Sequence, residues 1–430
     1  MSREEEPDPA QQSSKPLGPF EELDKTEIYW RDRYNWLLTR GYRLRSRYSP
    51  KWVPSWKTNP KLYAGLTEDS KRIPHGTLID AICLTDASYV VLKRIVHAES
   101  PEEVPILQYF LQEPQCSDPR NHCIELLEVL HPPDEEGVSI IVLPVLRPYD
   151  NPDFDTIGEG LDFIRQMLEG LCFLHEHGVA HRDIRSSNFM LDGTNMYGET
   201  FHAWSPQRRF DGTTKIPLKQ TRTSCQPKYF IIDFGFSKQY PLGAISPLEA
   251  PKYASDPSVP EFDYPSVPCN PFAADVYTFG NMIRIDFIDG DNGSYMQHGR
   301  KGFEFLRPLV DVMTQRNPGK RPTMPETLAK LDAIVAGLSK WKIRSRPIRI
   351  PGGGVIVPNT SDRIQTVVSH WKRKVKFVVG RQPPVPSMSG TAAASYSNPN
   401  TPVASHFEEN TVEVDSSKSR GITEETPESG

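Results

Sequence analysis

Polar and apolar positions change their rhythm several times along this chain. Residues 1 to about 18 are polar and proline-rich, a composition that buries little and predicts disorder. In FEELDKTEIYWRDRYNWLLTRG the apolar positions Ile28, Tyr34, Leu37 and Leu38 recur among charges and stop at Gly41, which predicts one amphipathic helix. RYSPKWVPSWKTNP then interleaves prolines with aromatics, the pattern of an extended strap lying on a surface. From Gly76 to about Val145 the chain reads as strands (LIDAICL, YVVLKRI, CIELLEVL and SIIVLPVL) with one helical candidate, VPILQYFLQ, among them. After Glu159 the spacing of Leu161, Ile164, Met167, Leu168, Leu171 and Leu174 is that of a buried helix face. A strand-rich stretch followed by a helix-rich one predicts an α+β chain in two lobes with a cleft between them. Beyond about residue 345 the periodicity is lost. Gly352–Gly354 lead into the basic HWKRKVKFVVGR and then a Ser/Thr/Pro/Glu tail, read as a basic linker and a disordered end.

Composition refines this picture at a few points. The 41 prolines point to long unpaired segments. A net charge of -5 argues against a generic nucleic-acid binder. The six cysteines are scattered without a C-x-x-C pair, which fits reduced thiols better than a disulfide framework or a zinc site. The N-terminal MSREEEPDPAQQ lacks the apolar core of a signal peptide, and the apolar run SIIVLPVL is too short to span a bilayer. A cytoplasmic or nuclear location is the expectation.

Chemistry enters at GVAHRDIRSSNFMLDG, residues 178–193, where a carboxylate, two guanidiniums and an amide crowd one loop after an apolar helix. A bland turn does not need that order of residues. One reading is that Asp183 accepts a proton from a hydroxyl while Asn188 holds a metal ion. Downstream, the apolar YFIID runs into Asp233-Phe234-Gly235, and upstream Lys93 sits within the strand pattern YVVLKRI.

Taken together in this order, these segments resemble the protein kinase family. HRDIRSSN is similar to its catalytic loop, DFG to its magnesium-binding turn, and YVVLK to its nucleotide-binding strand. Val259-Pro260-Glu261 resembles the A-P-E that closes the activation segment, Asp275 in DVYTFG the aspartate that braces the catalytic loop, and Arg321 the partner of Glu261. Kinases of small molecules with a related fold generally lack these last features. The resemblance runs from about Gly76 to Leu338 and implies a bilobal protein kinase-like fold, with a small β-rich lobe over 70–146 and a helical one over 147–344. A helical and Pro/aromatic extension over 19–69 would precede it, and 345–430 would follow as linker and tail. GYRLRSRYSPKWVPSW and the long insert at about 194–227 are also similar to kinase-like proteins of mushroom-forming (basidiomycete) fungi.

What the resemblance implies is an ATP- and Mg2+-dependent transfer of the γ-phosphate to a protein hydroxyl, with Ser/Thr as the expected class. Asp183 would be the catalytic base and Arg185 a group steadying the γ-phosphate. Lys93, paired with Glu103, would bind the phosphates; Asn188 and Asp233 would be the metal ligands. Gly76 would end the nucleotide loop. Val91 would roof the adenine, Met190 would floor it, Leu143 would be the gatekeeper, and the Pro144 carbonyl and Leu146 amide would be the hinge contacts. As a plain reading, the apolar members of this set are core residues of strands.

Departures from the family pattern keep a second reading open, a pseudokinase scaffold that binds partners without catalysis. Lys71 and Ile73 in KRIPHG stand where two glycines are expected. Ser100-x-x-Glu103 also reads as a capping box, and Pro105 as a helix breaker, in conflict with a Glu103–Lys93 pair. The insert is longer than the family's hairpin, and ASDPSVPEF lacks the usual Gly-Thr before A-P-E. The tail reverses the sign of the basic stretch before it, so three expectations compete: a passive linker and tail, an acidic end folding back on the basic stretch under control of phosphorylation at sites such as Ser416, Thr423 or Thr426, or a nuclear-import or anionic-surface role for HWKRKVK.

Overall fold

A computed structural model of the chain describes residues 20–73, 75–243, 247–251, 256–290, 299–350 and 360–386. The disorder expected for 1 to about 18, and for most of the tail, lies outside these residues. The chain is a mixed α and β structure built on a five-stranded antiparallel sheet. Helices α1 (Lys25–Asp32) and α2 (Tyr34–Thr39) come first, where the pattern predicts one helix. The break falls at Arg33, whose guanidinium lies 3.8 Å from the Tyr29 ring centroid and reaches Asp134 at 2.7 Å and Glu135 at 3.2 Å. Arg33, between the two helices, is thus tied to a segment about a hundred residues further along. Asp24 caps α1 through a complete capping box with Glu27.

Gly41, at φ +88°, starts β1 (Tyr42–Leu44). The strap after it coils through a short helix, α3 (Ser55–Thr58). The sheet continues with β2 (Leu78–Cys83), β3 (Tyr89–Val96), β4 (Glu128–Leu130) and β5 (Val138–Pro144), in the spatial order β1-β2-β3-β5-β4. Of the predicted strand CIELLEVL, only Glu128–Leu130 joins it. Residues 122–124 turn instead to a strand of the helical body, where the Ile231 amide donates to the His122 carbonyl and the Ile124 amide to that of Ile231.

Alternation sorts the sheet into two faces. Ile79, Ala81, Val90, Leu92, Ile140 and Val142 join Trp30, Leu37, Tyr42 and Leu44 in one core, so the N-terminal helices cover that face. The other face carries Lys93, Ile95, Ile141 and Leu143, and turns toward the helical body. Helix α4 (Glu103–Phe110) sends Ile106, Leu107 and Phe110 into that second core.

Within the helical body, β6 (Arg147–Pro148) precedes α5 (Ile157–Glu176), which Thr156 caps and whose apolar face is almost wholly buried. Then come β7 (Val179–Ala180), β8 (Phe189–Leu191), α6 (Thr194–Tyr197), β9 (Phe201–His202), β10 (Ser205–Arg209), α7 (Arg222–Cys225), β11 (Tyr229–Ile231) and β12 (Lys238–Gln239). Helices α8 (Pro271–Ile283), α9 (Arg307–Met313), α10 (Met324–Ala336) and α11 (Lys340–Ile343) complete the body. The stretch expected to be a basic linker contains a helix, α12 (Thr360–Val379). No helix among the described residues is long and apolar enough to cross a membrane.

Candidate active site

Helix α5 delivers the chain to the polar loop through Gly178, at φ +73°, where an added Cβ would lie 2.4 Å from the Tyr240 carbonyl oxygen. β7 then pairs with β12, and β8 with both β6 and β11, so the loop is held on both sides by short strands. Inside it, the amides of His181 and Arg182 each donate to the buried Asp275 at 2.8 Å. Two consecutive N–H groups aimed at one carboxylate require an unusual backbone, and Arg182 adopts φ +67°. His175 Nε2 lies 3.1 Å from the same carboxylate.

Asp183 is 2% exposed. Its Oδ2 accepts from Asn188 Nδ2 at 2.8 Å, and Arg185 Nε lies 3.5 Å from it. Its Oδ1 is buried and has no hydrogen-bond partner, an uncompensated acceptor that normally costs stability. Asn188 spends its amide nitrogen on Asp183 while its backbone carbonyl accepts from the Ile232 amide at 3.0 Å, which brings Asn188 alongside the Asp233 turn. Asp233 has φ +65° and opens a 3-10 turn over Phe234–Phe236. Behind it, the His181 ring lies edge-on to Phe234 with centroids 5.3 Å apart.

Lys93 joins the sheet to this turn. Its Nζ lies 2.5 Å from Glu103 Oε1 and 2.7 Å from Asp233 Oδ1. The capping-box alternative does not form: α4 begins at Glu103, Glu102 supplies no side-chain cap, and Pro105 sits in the first turn, where its missing N–H costs little. Burial pushes the Lys93 ammonium down, but Glu103 and Asp233 outweigh it and hold it above its ordinary value. Burial raises the Asp233 carboxyl, yet the charge and hydrogen bond of Lys93 bring it below the usual carboxylate range. Glu103 goes the other way: burial raises it more than Lys93 lowers it, and its Oε2 is buried without a partner.

Of the adenine-site expectations, Val91 and Leu143 share the sheet face of Lys93. Val91 is half-buried opposite Leu143, which is 8% exposed, and Pro144 ends β5 opposite Val90. Leu146 is half-buried beyond the strand, and Met190 is half-buried in β8 between Pro148 and Phe230. Gly76 sits elsewhere in character. Its carbonyl accepts from Trp30 Nε1 at 3.2 Å, and a Cβ there would meet Thr26 at 2.4 Å, so its close approach is to α1. Between β1 and β2, Arg45 donates to Asp80 and the Lys71 carbonyl, and Arg47 to Glu27 and the Asp69 carbonyl.

Sequence reasoning missed the residues that hold this arrangement from outside. Asp286, buried in a π-turn over Arg284–Asp289, accepts from Tyr149 Oη at 2.7 Å and from Ser186 Oγ, fastening the loop's far end. An acid inside the apolar run IRIDFIDG was the available signal. Asp80 on β2 is fully buried on the Val91 face and accepts from Arg45 Nε at 3.0 Å, Tyr89 Oη at 2.6 Å and Trp204 Nε1 at 2.6 Å. Phe210 packs edge-on against Tyr89 at 4.7 Å. The insert therefore crosses from the helical body onto the same sheet face as Lys93. It is anchored at its base by buried Arg147, which donates to the Pro206 carbonyl and lies against Tyr197 and Phe201. Burial brings the Arg147 guanidinium down to about 10.

No family model matches the chain. Over 101 residues it is 31% identical to the serine/threonine-protein kinase CAK1 of Saccharomyces cerevisiae, covering 24% of this chain and 20% of that protein. It is 27% identical over 137 residues to a cell division control protein 2 homolog D of Antirrhinum majus, covering 28% and 43%. A light-sensor protein kinase of Ceratodon purpureus is 28% identical over 148 residues, covering 33% and 10%. The chain thus matches less than half the length of each of these relatives, and over those segments it is similar to a serine/threonine-protein kinase, a cell division control protein and a light-sensor protein kinase.

Proposed function

We propose that this chain is a bilobal protein kinase that transfers the γ-phosphate of ATP to a protein hydroxyl, Ser/Thr being the class of the yeast relative. The observation that carries the reading is the Lys93 bridge, 2.5 Å to Glu103 and 2.7 Å to Asp233, beside the Asp183–Asn188 pair. Phosphoryl transfer asks the protein for charge neutralisation and a positioned hydroxyl more than for covalent chemistry. Asp183 offers a buried acceptor oxygen without a partner, suited to receive the hydroxyl proton. Arg185, half exposed beside it, is placed to meet a phosphate oxygen.

The donor set fits magnesium. Asn188 and Asp233 offer hard oxygens, and an ion carried by a triphosphate needs only one or two from the protein. When bound, it would neutralise charge on the transferring phosphate. Lys93, already held between two carboxylates, orients the turn that carries Asp233. The pseudokinase reading is favoured by one observation: Arg45 and Trp204 both donate to Asp80 on the sheet face that a nucleotide would share. Magnesium-dependent ATP binding, followed by mass-spectrometric mapping of autophosphorylation, decides between them. Binding indifferent to EDTA with no phosphate transferred rejects the kinase reading.

A further inference from the structure

Helix α12 has one face fastened to the helical body and another left bare. On the inner side, Arg373 pairs with Asp155 at 2.7 Å, His370 Nδ1 lies 3.2 Å from the same carboxylate, and Phe377 is buried. Lys374 is buried with its ammonium 3.6 Å from the Trp341 ring centroid. The segment after the helix passes over α5 so closely that a Cβ on Gly158 would lie 1.9 Å from the Pro384 carbonyl oxygen. These ties prevent the helix from rolling over to hide its other side.

That other side exposes Val367, Val368, Trp371, Val375, Val378 and Val379, which recur at helical spacing, although the Trp371 ring also meets the Trp341 ring, with centroids 5.6 Å apart. Trp371 is 47% exposed, Val375 57% and Val379 77%. Lys372 and Lys376 border the stripe, and Arg381 follows the helix; all are exposed. A contiguous apolar face with a basic edge, held rigidly outward, marks an interaction surface.

We infer that this face is the seat of a segment of the same chain, Phe407–Asp415, with the sequence FEENTVEVD. The segment supplies what the face requires: Phe407, Val412 and Val414 for the apolar stripe, and Glu408, Glu409, Glu413 and Asp415 for the basic edge, with no Lys or Arg among them. Its distance along the chain is suitable. Twenty residues separate Pro386 from Phe407; a random coil of that length reaches about 25 Å, against about 30 Å for the length of a twenty-residue helix. A tether of that length places the segment at roughly millimolar effective concentration. Two other occupants fit less well. A second copy docked face to face would set Lys372 and Lys376 against their own counterparts. A bilayer is met by helices with Leu, Phe and Trp on the buried face, whereas this one is mostly short valines.

A fluorescently labelled peptide spanning residues 405–417 tests the assignment on the full chain by anisotropy. The chain carrying Phe407→Ser, Val412→Ser and Val414→Ser should bind it at least tenfold more tightly than the parent, whose own segment competes. Adding Val375→Asp to that variant should abolish binding, and raising the salt should weaken it. Equal binding to variant and parent, or binding to neither, overturns the proposal. So does binding that survives Val375→Asp. Phosphatidylserine vesicles that sediment with the parent chain, or a dimer seen by light scattering, would assign the face to lipid or to a second copy if either is lost with Val375→Asp, and would overturn it as well.

Discussion

Asp275 and Asp80 are both buried carboxylates that organise their surroundings, and the contrast between them divides this molecule. Asp275 accepts from two successive backbone amides of the polar loop and faces His175. Every partner lies within the helical body, and the backbone itself carries the geometry. Asp80 is held by three side chains, from the segment after β1, from β3 and from the insert. The loop around Asp183 is therefore specified through its own backbone amides, although the carboxylate they meet lies more than ninety residues further along. The sheet face above it is specified by remote parts of the chain that have to arrive separately. Constraint of the first kind leaves a compact sequence signature, whereas constraint of the second kind leaves almost none.

The most severe way to break the loop's side of the comparison is Asp183→Asn. It preserves shape and removes the proton acceptor, so phosphoryl transfer should fall by about 100- to 10,000-fold. Thermal unfolding and ATP binding should stay near those of the parent. Comparable transfer rates in a single-turnover assay would remove Asp183 from the role of base.

Next comes the frame beneath the loop. Glu261 meets Arg321 in a two-pronged pair at 2.7 and 2.6 Å, and the Arg321 side chain is fully buried. Glu261→Ala leaves that guanidinium uncompensated and should cost about 3–5 kcal/mol, read as a lower midpoint in urea. A midpoint within error of the parent would mean that the pair adds little to the fold.

The sheet side is probed by Trp204→Phe, which keeps the ring and deletes the donor to Asp80. A hydrogen bond to a buried charge is worth about 1.5–3 kcal/mol. The loss should appear as faster amide exchange in β2 and β3, with residues 181–188 unchanged. Faster exchange in both places would show that the two regions are one cooperative unit.

The smallest effect is on α12. Burial alone would raise the Asp155 carboxyl, but the hydrogen bonds of Arg373 and His370 hold it at about 2. A depressed carboxyl contributes stability that is fully present above its ordinary value of 3.8 and is lost as the pH falls toward about 2. Between those limits the tie should lose about 2 kcal/mol. Asp155→Asn should flatten that part of the stability profile, and an unchanged slope would detach α12 from Asp155.

The sequence by itself determined the elements whose partners are near or whose pattern is strong. Among these are β2, β3 and β5, the buried face of α5, and the order of Lys93, Asp183, Asn188 and Asp233. Alternation and helical spacing state which side of an element is apolar, and a loop that must satisfy its own backbone shows it in its residues. The pairing of Lys93 with Glu103 was only half legible, because Ser100 and Pro105 suit a different helix start equally well. Tertiary structure alone decided that β1 comes from the N-terminal extension and that Arg45, just after it, reaches Asp80. It also decided that Trp204 crosses to Asp80 and that α12 is fastened at Asp155. Each of these depends on where a distant segment arrives, and a side chain's own neighbours in the sequence carry no trace of a partner met only after the chain has folded.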